Sequence, residues 1–254
     1  MWGPVASAKA YPTRETFVRD CVPILRREIE LLREEGVSII QVDDPHLCLF
    51  VDRDVRSGYK NPDQAADFAV DMDSQVVADF EDVRLAVHLC RRAGARARGE
   101  AQHQGSYAPI MKQLKKLRVG YITMEFTTPG SGEISVLREL SENVEIGLGV
   151  VRTLSGEVDS PETIEARVER ALEHVAPKRI ALNPECGFAP GSPAKVDIDE
   201  VYTKLKNQVA AARILREKYS RLRCRNLVAP LIYKMSATFY SAFSGNSAIH
   251  FVSN

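Results

Sequence analysis

Residues 106–126 read SYAPIMKQLKKLRVGYITMEF and contain the local pattern on which the fold depends. A helix-like segment, 106–119, is followed at once by a short apolar strand that ends near Glu125. The same order recurs along the chain. Short apolar strands that alternate with helices are typical of a parallel sheet covered by helices. The sequence therefore predicts an α/β protein.

Five strands are predicted, at 38–43, 84–90, 119–125, 145–151 and 179–184, and helix-like segments at 15–36, 71–83, 106–119, 131–143 and 160–177. The strands begin 26 to 46 residues apart, which favours a TIM-type (β/α) barrel. Eight such units usually need about 250 residues, whereas these strands already extend over most of the chain. We therefore expect an incomplete barrel of about six of eight strands, with MWGPVAS (1–7) as the sixth and the N-terminal strands missing. A doubly wound sheet is the alternative, although no G-x-G-x-x-G follows a strand.

Two regions are expected. Residues 1–219 form the partial (β/α) barrel, and residues 220–254 form a C-terminal appendage of unclear structure, poor in acidic residues and without a sustained period.

Composition excludes several classes of protein. The chain has 34 basic and 34 acidic residues, so nothing in its net charge favours binding to nucleic acid. No apolar run approaches the length of a membrane span. Five irregularly spaced cysteines and an N-terminus without signal-peptide features predict a cytoplasmic protein.

Potentially reactive side chains gather at the ends of the predicted strands: Asp43, Asp44, His88, Cys90, Glu125 and Cys186. His88 and Cys90 are two residues apart, so on a strand they point to the same side. In an α/β barrel the carboxyl ends of the strands converge on one face. We expect these side chains to meet there.

Zinc binds cysteine sulfur, histidine nitrogen and carboxylate oxygen in tetrahedral geometry. The sequence therefore offers a zinc site made of His88, Cys90, Glu125 and Cys186. The alternative is that each is an ordinary packed residue, because H-x-C by itself is a weak signal and the chain has no dense C-x-x-C framework.

Several segments resemble, in order, motifs of one family: IIQVDDPHL (39–47), AVHLCRR (86–92), ITMEF (122–126), GLGVV (147–151) and LNPECGF (182–188). They are similar to the C-terminal catalytic barrel of cobalamin-independent methionine synthase, in the UROD/MetE-like superfamily. The resemblance covers about residues 4 to 219.

The resemblance implies zinc held by His88, Cys90, Glu125 and Cys186, with Asp43 in a catalytic, substrate-binding position. Asp44 and His46, which follow Asp43 in the sequence, are further candidates for substrate binding. It also implies methionine synthesis by a 5-methyltetrahydropteroyltriglutamate-homocysteine S-methyltransferase, with a small-molecule thiol and a folate-type methyl donor as partners. A thiol bound to zinc loses its proton and becomes a nucleophile at neutral pH.

The chain departs from the family pattern in two ways. The family barrel has two earlier strands, and it carries a histidine at the position of Leu154, where leucine cannot transfer a proton. A second hypothesis is therefore a catalytically degenerate barrel that acts only through assembly, because exposed strand edges invite a homo-oligomer or a partner chain. A third, a metal-free decarboxylase-like member, is disfavoured by the intact ligand set.

The loop after Cys90 holds four arginines, which either bind an anion or lie in solvent: Arg91, Arg92, Arg96 and Arg98. His103, in the same loop, is a candidate replacement for the missing proton donor.

Overall fold

The computed structural model describes residues 6–7, 9–91, 103–188 and 197–223, together with two short strands at 238–239 and 249–252. None of the described helices is long and apolar enough to cross a membrane.

One mixed sheet organises the described chain. Five of its strands are parallel and follow one another in space as in sequence: β1 (Ile39–Asp43), β2 (Arg84–Leu89), β3 (Tyr121–Glu125), β4 (Glu145–Val151) and β5 (Ile180–Pro184). The two remaining described strands, β6 (Thr238–Phe239) and β7 (Ile249–Val252), pair with each other, and β7 pairs antiparallel with β1. The order across the sheet is β5-β4-β3-β2-β1-β7-β6.

The five predicted strands are confirmed. Their sequential order distinguishes them from a doubly wound sheet, in which the strand order reverses at a switch point. The predicted sixth strand is not confirmed, because residues 1–5 lie outside the described residues and residues 6–7 form a turn. The five parallel strands are an arc of sheet and not a closed barrel.

Seven α-helices are described: α1 (Arg14–Glu34), α2 (Pro45–Leu49), α3 (Arg53–Ser57), α4 (Pro62–Val77), α5 (Met111–Leu114), α6 (Pro161–Leu172) and α7 (Ile198–Arg223). Short 3-10 turns lie at Ala108–Ile110, Pro129–Ser131, Ile134–Glu139 and Pro177–Arg179. The predicted helix at 131–143 is thus wrong: this segment holds the 3-10 turn Ile134–Glu139 and the last residue of the turn Pro129–Ser131. Helix α4 begins nine residues before the predicted segment 71–83. Helix α7 continues past residue 219, the predicted boundary of the barrel region.

Local capping sets where the longer helices begin. The side chains of Thr13, Asn61 and Ser160 each accept a hydrogen bond from a backbone N–H in the first turn of α1, α4 and α6. Proline at the first position of α4 and α6 fits this pattern, since its missing N–H has no partner at a helix start.

The two faces of the parallel sheet differ in chemistry. Alternate strand residues are apolar and buried in the core, among them Val42, Val87, Ile122 and Leu148. The intervening residues, on the inner face, are mostly polar or glycine. The hydroxyl of Thr123 donates to Gln41 Oε1 (3.3 Å), and that of Tyr121 donates to Asn183 Oδ1 (2.8 Å). The polar residues of this face continue to the carboxyl ends of the strands.

Candidate metal centre

Three potential metal ligands meet at the carboxyl end of the sheet. The ligand atoms of His88, Cys90 and Cys186 all lie within 4.8 Å of one another. The Cys90 and Cys186 sulfurs are 3.2 Å apart, and Cys186 Sγ lies 3.9 Å from His88 Nε2. His88 and Cys186 are buried, with exposed fractions of 7% and 9%. One imidazole nitrogen and two sulfurs therefore share a small, largely enclosed space.

Curvature of the sheet brings these residues together. Cys90 follows β2 and Cys186 follows β5, and β3 and β4 lie between them. Adjacent strands are about 4.8 Å apart, so a flat sheet would separate the two strands by roughly 14 Å. Because the two sulfurs lie only 3.2 Å apart, the sheet bends around its inner face as the wall of a barrel does.

Asp43 orients the imidazole. Its Oδ1 lies 3.0 Å from His88 Nδ1, and the two residues are register partners on β1 and β2. Gln41 Nε2 donates to the same oxygen at 3.2 Å. With Nδ1 turned to a carboxylate, Nε2 faces the two thiols, which is the arrangement that metal-binding histidines adopt.

The surroundings of the site raise the pKa values of His88 and Cys186. Burial lowers the pKa of His88, but the hydrogen bond and charge of Asp43 and the charge of Cys90 outweigh it and raise this pKa to about 9. The hydrogen bond between the two thiols, burial and the neighbouring charges of Cys90, Glu125 and Glu185 raise the pKa of Cys186 well above its usual value. A cation would bind here only if these groups gave up their protons, because only a deprotonated thiol or imidazole nitrogen coordinates a metal.

Glu125, the predicted fourth ligand, lies fully buried at the end of β3. Its backbone N–H donates to the Tyr107 hydroxyl (3.0 Å), and its charge contributes to the raised pKa of Cys186. The group of ligand atoms within 4.8 Å comprises only the other three residues. Coordination by Glu125 remains a prediction.

The two other candidates for substrate binding differ in what the structure describes. Asp44 Oδ1 accepts from the Leu47 backbone N–H (3.0 Å) at the start of α2, and its own N–H donates to the His88 carbonyl (3.1 Å). Asp44 thus couples the loop after β1 to the end of β2. The side chain of His46 lies outside the described part of the chain.

Glu185 is a site residue that the sequence analysis missed. It is fully buried, and its carboxylate accepts hydrogen bonds from Thr127 Oγ1, Thr153 N (2.9 Å) and Thr153 Oγ1 (3.1 Å). The available signal was its place in LNPECGF, directly before the proposed ligand Cys186.

Arg91 has neither of the roles considered for the arginine-rich loop. It is fully buried and donates to the Tyr107 hydroxyl (3.2 Å) and to the carbonyls of Gly130 and Ser131 (3.3 Å each), so it holds neighbouring loops together. Arg92, Arg96 and Arg98 lie outside the described residues. His103 Nδ1 lies 3.5 Å from Asp52 Oδ2.

Comparison with known proteins identifies the family. Residues 3–214 match the family described as the cobalamin-independent synthase catalytic domain. The chain belongs to this family. The match extends from the N-terminal segment, across the five parallel strands, into α7.

Curated relatives carry matching names. A methionine synthase of Pyrococcus horikoshii is 25% identical over 211 residues, which is 83% of this chain and 53% of that protein. A 5-methyltetrahydropteroyltriglutamate-homocysteine methyltransferase of Serratia proteamaculans is 30% identical over 214 residues, 81% of this chain and 24% of that protein. The chain thus spans about half the length, or less, of these relatives.

A solved structure shows the same fold. The B12-independent methionine synthase from Shewanella sp., in complex with selenomethionine, superposes with a TM-score of 0.65 at 18% identity. The superposition covers 84% of this chain and 58% of the other. The open five-stranded arc therefore corresponds to part of the fold of a cobalamin-independent synthase.

Proposed function

We propose that the chain is a zinc-dependent S-methyltransferase that transfers a methyl group to a small-molecule thiol. The observation that carries the proposal is the convergence of His88 Nε2 with the Cys90 and Cys186 sulfurs, supported by the hydrogen bond from His88 to Asp43. Nitrogen and sulfur donors in this combination suit zinc.

The donor set fits the metal on structural grounds. His88, Cys90 and Cys186 would hold the zinc. Glu125 is the proposed fourth ligand because it is buried at the end of the neighbouring strand and its charge acts on Cys186. When bound, zinc favours the thiolate form of a thiol substrate at neutral pH. The protein contributes an enclosed site that limits access of water.

Proposals for substrate recognition come from the family names and from the loop after β1. Homocysteine and a methylated folate are the substrates named for the Serratia relative, and we propose the same classes here. Asp43 would bind a substrate amino group in addition to its hydrogen bond with His88, because 20% of the Asp43 side chain remains exposed. Asp44 and His46, which follow Asp43 along the chain, are further candidates for substrate binding. Leu154 offers no proton, so a proton donor would have to come from another group.

A second candidate is a degenerate barrel that acts through assembly with a partner chain or a second copy. It is favoured by Leu154 and by the open sheet of the described residues. The cytoplasm remains the predicted compartment in either case.

The deciding experiment measures zinc per purified chain for the wild type, Cys186→Ser and the control Cys21→Ser, whose sulfur lies on α1 away from the site. We expect about one zinc in the wild type and in the control, and a sharp fall in Cys186→Ser. No zinc in any folded variant after metal loading would overturn the proposal. Zinc binding without methylation of any thiol would favour the second candidate.

A further inference from the structure

We propose that Glu185 is a positioning residue that fixes Cys186 at the metal site through a clasp formed with Thr127 and Thr153. This inference rests on the proposed zinc site and adds to it the element that aligns one of its ligands. Glu185 itself need not touch metal or substrate.

The carboxylate of Glu185 connects three strand ends. Thr127 follows β3, Thr153 follows β4 and Glu185 follows β5. Glu185 Oε1 accepts from the backbone N–H and the hydroxyl of Thr153, and Oε2 accepts from the Thr127 hydroxyl. All three residues are buried, with exposed fractions of 8% or less. A buried carboxylate needs hydrogen-bond donors of this kind, because burying it without partners costs free energy.

The backbone of Glu185 lies at the same junction. Its N–H donates to the Val151 carbonyl (2.9 Å), and its carbonyl lies 3.4 Å from His88 Nε2. One residue thus contacts both β4 and the proposed imidazole ligand. Because Glu185 directly precedes Cys186 in the chain, a displacement of the Glu185 backbone also moves the Cys186 sulfur.

An irregularity in the sheet makes this contact possible. The β4–β5 register shifts between Gly149 and Val151, and the regular pairing ends at Pro184. A side chain at position 149 would have its Cβ 3.0 Å from Glu185 Cα. Bulges next to functional sites redirect side chains, and here the glycine admits the Glu185 backbone while the clasp fixes its direction.

The consequence is that the hydroxyls of Thr127 and Thr153 control the alignment of Cys186. Removing them takes away two of the three hydrogen bonds described above for the Glu185 carboxylate, so this side chain is held less firmly. Cys186 then moves with it away from Cys90. Partners that orient metal ligands affect metal affinity by about 10- to 100-fold.

The test uses the double variant Thr127→Val/Thr153→Val, with Thr203→Val as the matched control. Thr203 is exposed on α7 and donates to a carbonyl of its own helix. Zinc affinity is measured by chelator competition, and cobalt(II) substitution provides a second readout, because its sulfur-to-cobalt charge-transfer absorption reports the number of bound thiolates.

We expect the double variant to bind zinc at least about tenfold more weakly than the wild type, with a weaker sulfur-to-cobalt band, while the control matches the wild type. A folded double variant with affinity within twofold of the wild type and an unchanged cobalt spectrum would overturn the inference. If the double variant fails to fold, Thr127→Val alone decides by the same readouts. Failure of the proposed function is a separate result, since it appears as a wild type that binds no zinc.

Discussion

The carboxylate of Asp43 determines which nitrogen of His88 faces the thiols. The resemblance assigns Asp43 to the substrate, whereas the structure places its Oδ1 3.0 Å from His88 Nδ1. The two roles are compatible, because a carboxylate has a second oxygen and four lone-pair sites. They predict different behaviour when the side chain is removed.

We expect Asp43→Ala to weaken zinc binding by about 10- to 100-fold, because the imidazole loses the partner that fixes its orientation. Asp43→Asn should bind more tightly than Asp43→Ala, since its amide oxygen still accepts from Nδ1. Chelator competition measures both. Asp82→Ala, which removes an exposed carboxylate paired with Arg33, is the control. Wild-type zinc affinity in Asp43→Ala, with thiol methylation lost, would assign Asp43 to substrate alone.

Asp73 on α4 carries a pH-dependent cost to stability. Burial, together with the charge and hydrogen bond of Asp44, raises its pKa well above the usual value, and its buried Oδ2 has no hydrogen-bond partner among the described residues. The folded state therefore holds this proton more tightly than the unfolded state does. The favourable contribution of Asp73 to the free energy of unfolding is fully present below about pH 4. It is lost as pH rises through the folded-state pKa, because the carboxylate must then be buried as a charge.

Asp73→Asn should therefore stabilise the protein at pH 8 by about 1–3 kcal/mol relative to the wild type, and by less at pH 4.5. Urea unfolding at the two pH values measures this difference. Asp71→Asn, at an exposed position of the same helix, should show no such trend. An equal gain in unfolding free energy for Asp73→Asn at both pH values would contradict the raised pKa of Asp73 as the cause.

At the level of elements, the strands were easier to predict than the segments between them. Short apolar runs identified β1 to β5 and their carboxyl ends, and thereby the neighbourhood of the proposed ligands. The segment 131–143 has helix-like spacing, but Gly132 adopts a φ of 77° and the segment forms 3-10 turns. The Glu185 clasp depends on contacts between the ends of three strands, which local periodicity does not encode.

The β4–β5 junction requires glycine at position 149. A Cβ there would lie 2.8 Å from the Met124 carbonyl oxygen and 3.0 Å from Glu185 Cα, both backbone atoms that cannot swing aside. Gly149→Ala should destabilise the protein by about 1–3 kcal/mol, as overpacking does, and weaken zinc binding. Gly120→Ala is the control, because its Cβ would meet nothing within 4 Å. Equal unfolding free energies for the two variants in urea would contradict this account.

For the whole molecule, the proposed metal site is a cross-link within the sheet. His88 lies on β2, Cys90 directly follows β2 and Cys186 is the second residue after β5, and β3 and β4 lie between these strands in the sheet order. The common place of His88, Cys90 and Cys186 at strand ends indicated in the sequence that these three residues meet. It did not indicate the bend of the sheet that brings the two sulfurs to 3.2 Å, because curvature arises from the packing of all five strands together.

A metal that joins distant strands should stabilise the entire arc of sheet against unfolding. Zinc at 100 times its dissociation constant contributes about 2.7 kcal/mol, which for a chain of this size raises Tm by roughly 5 to 10 °C. Calorimetry of the wild type with zinc and with a chelator measures the shift. Cys21→Ser should keep it, and Cys186→Ser should lose most of it, because one side of the cross-link is gone. An equal shift in both variants would show that zinc stabilises the fold from a site other than the one at the carboxyl end of the sheet.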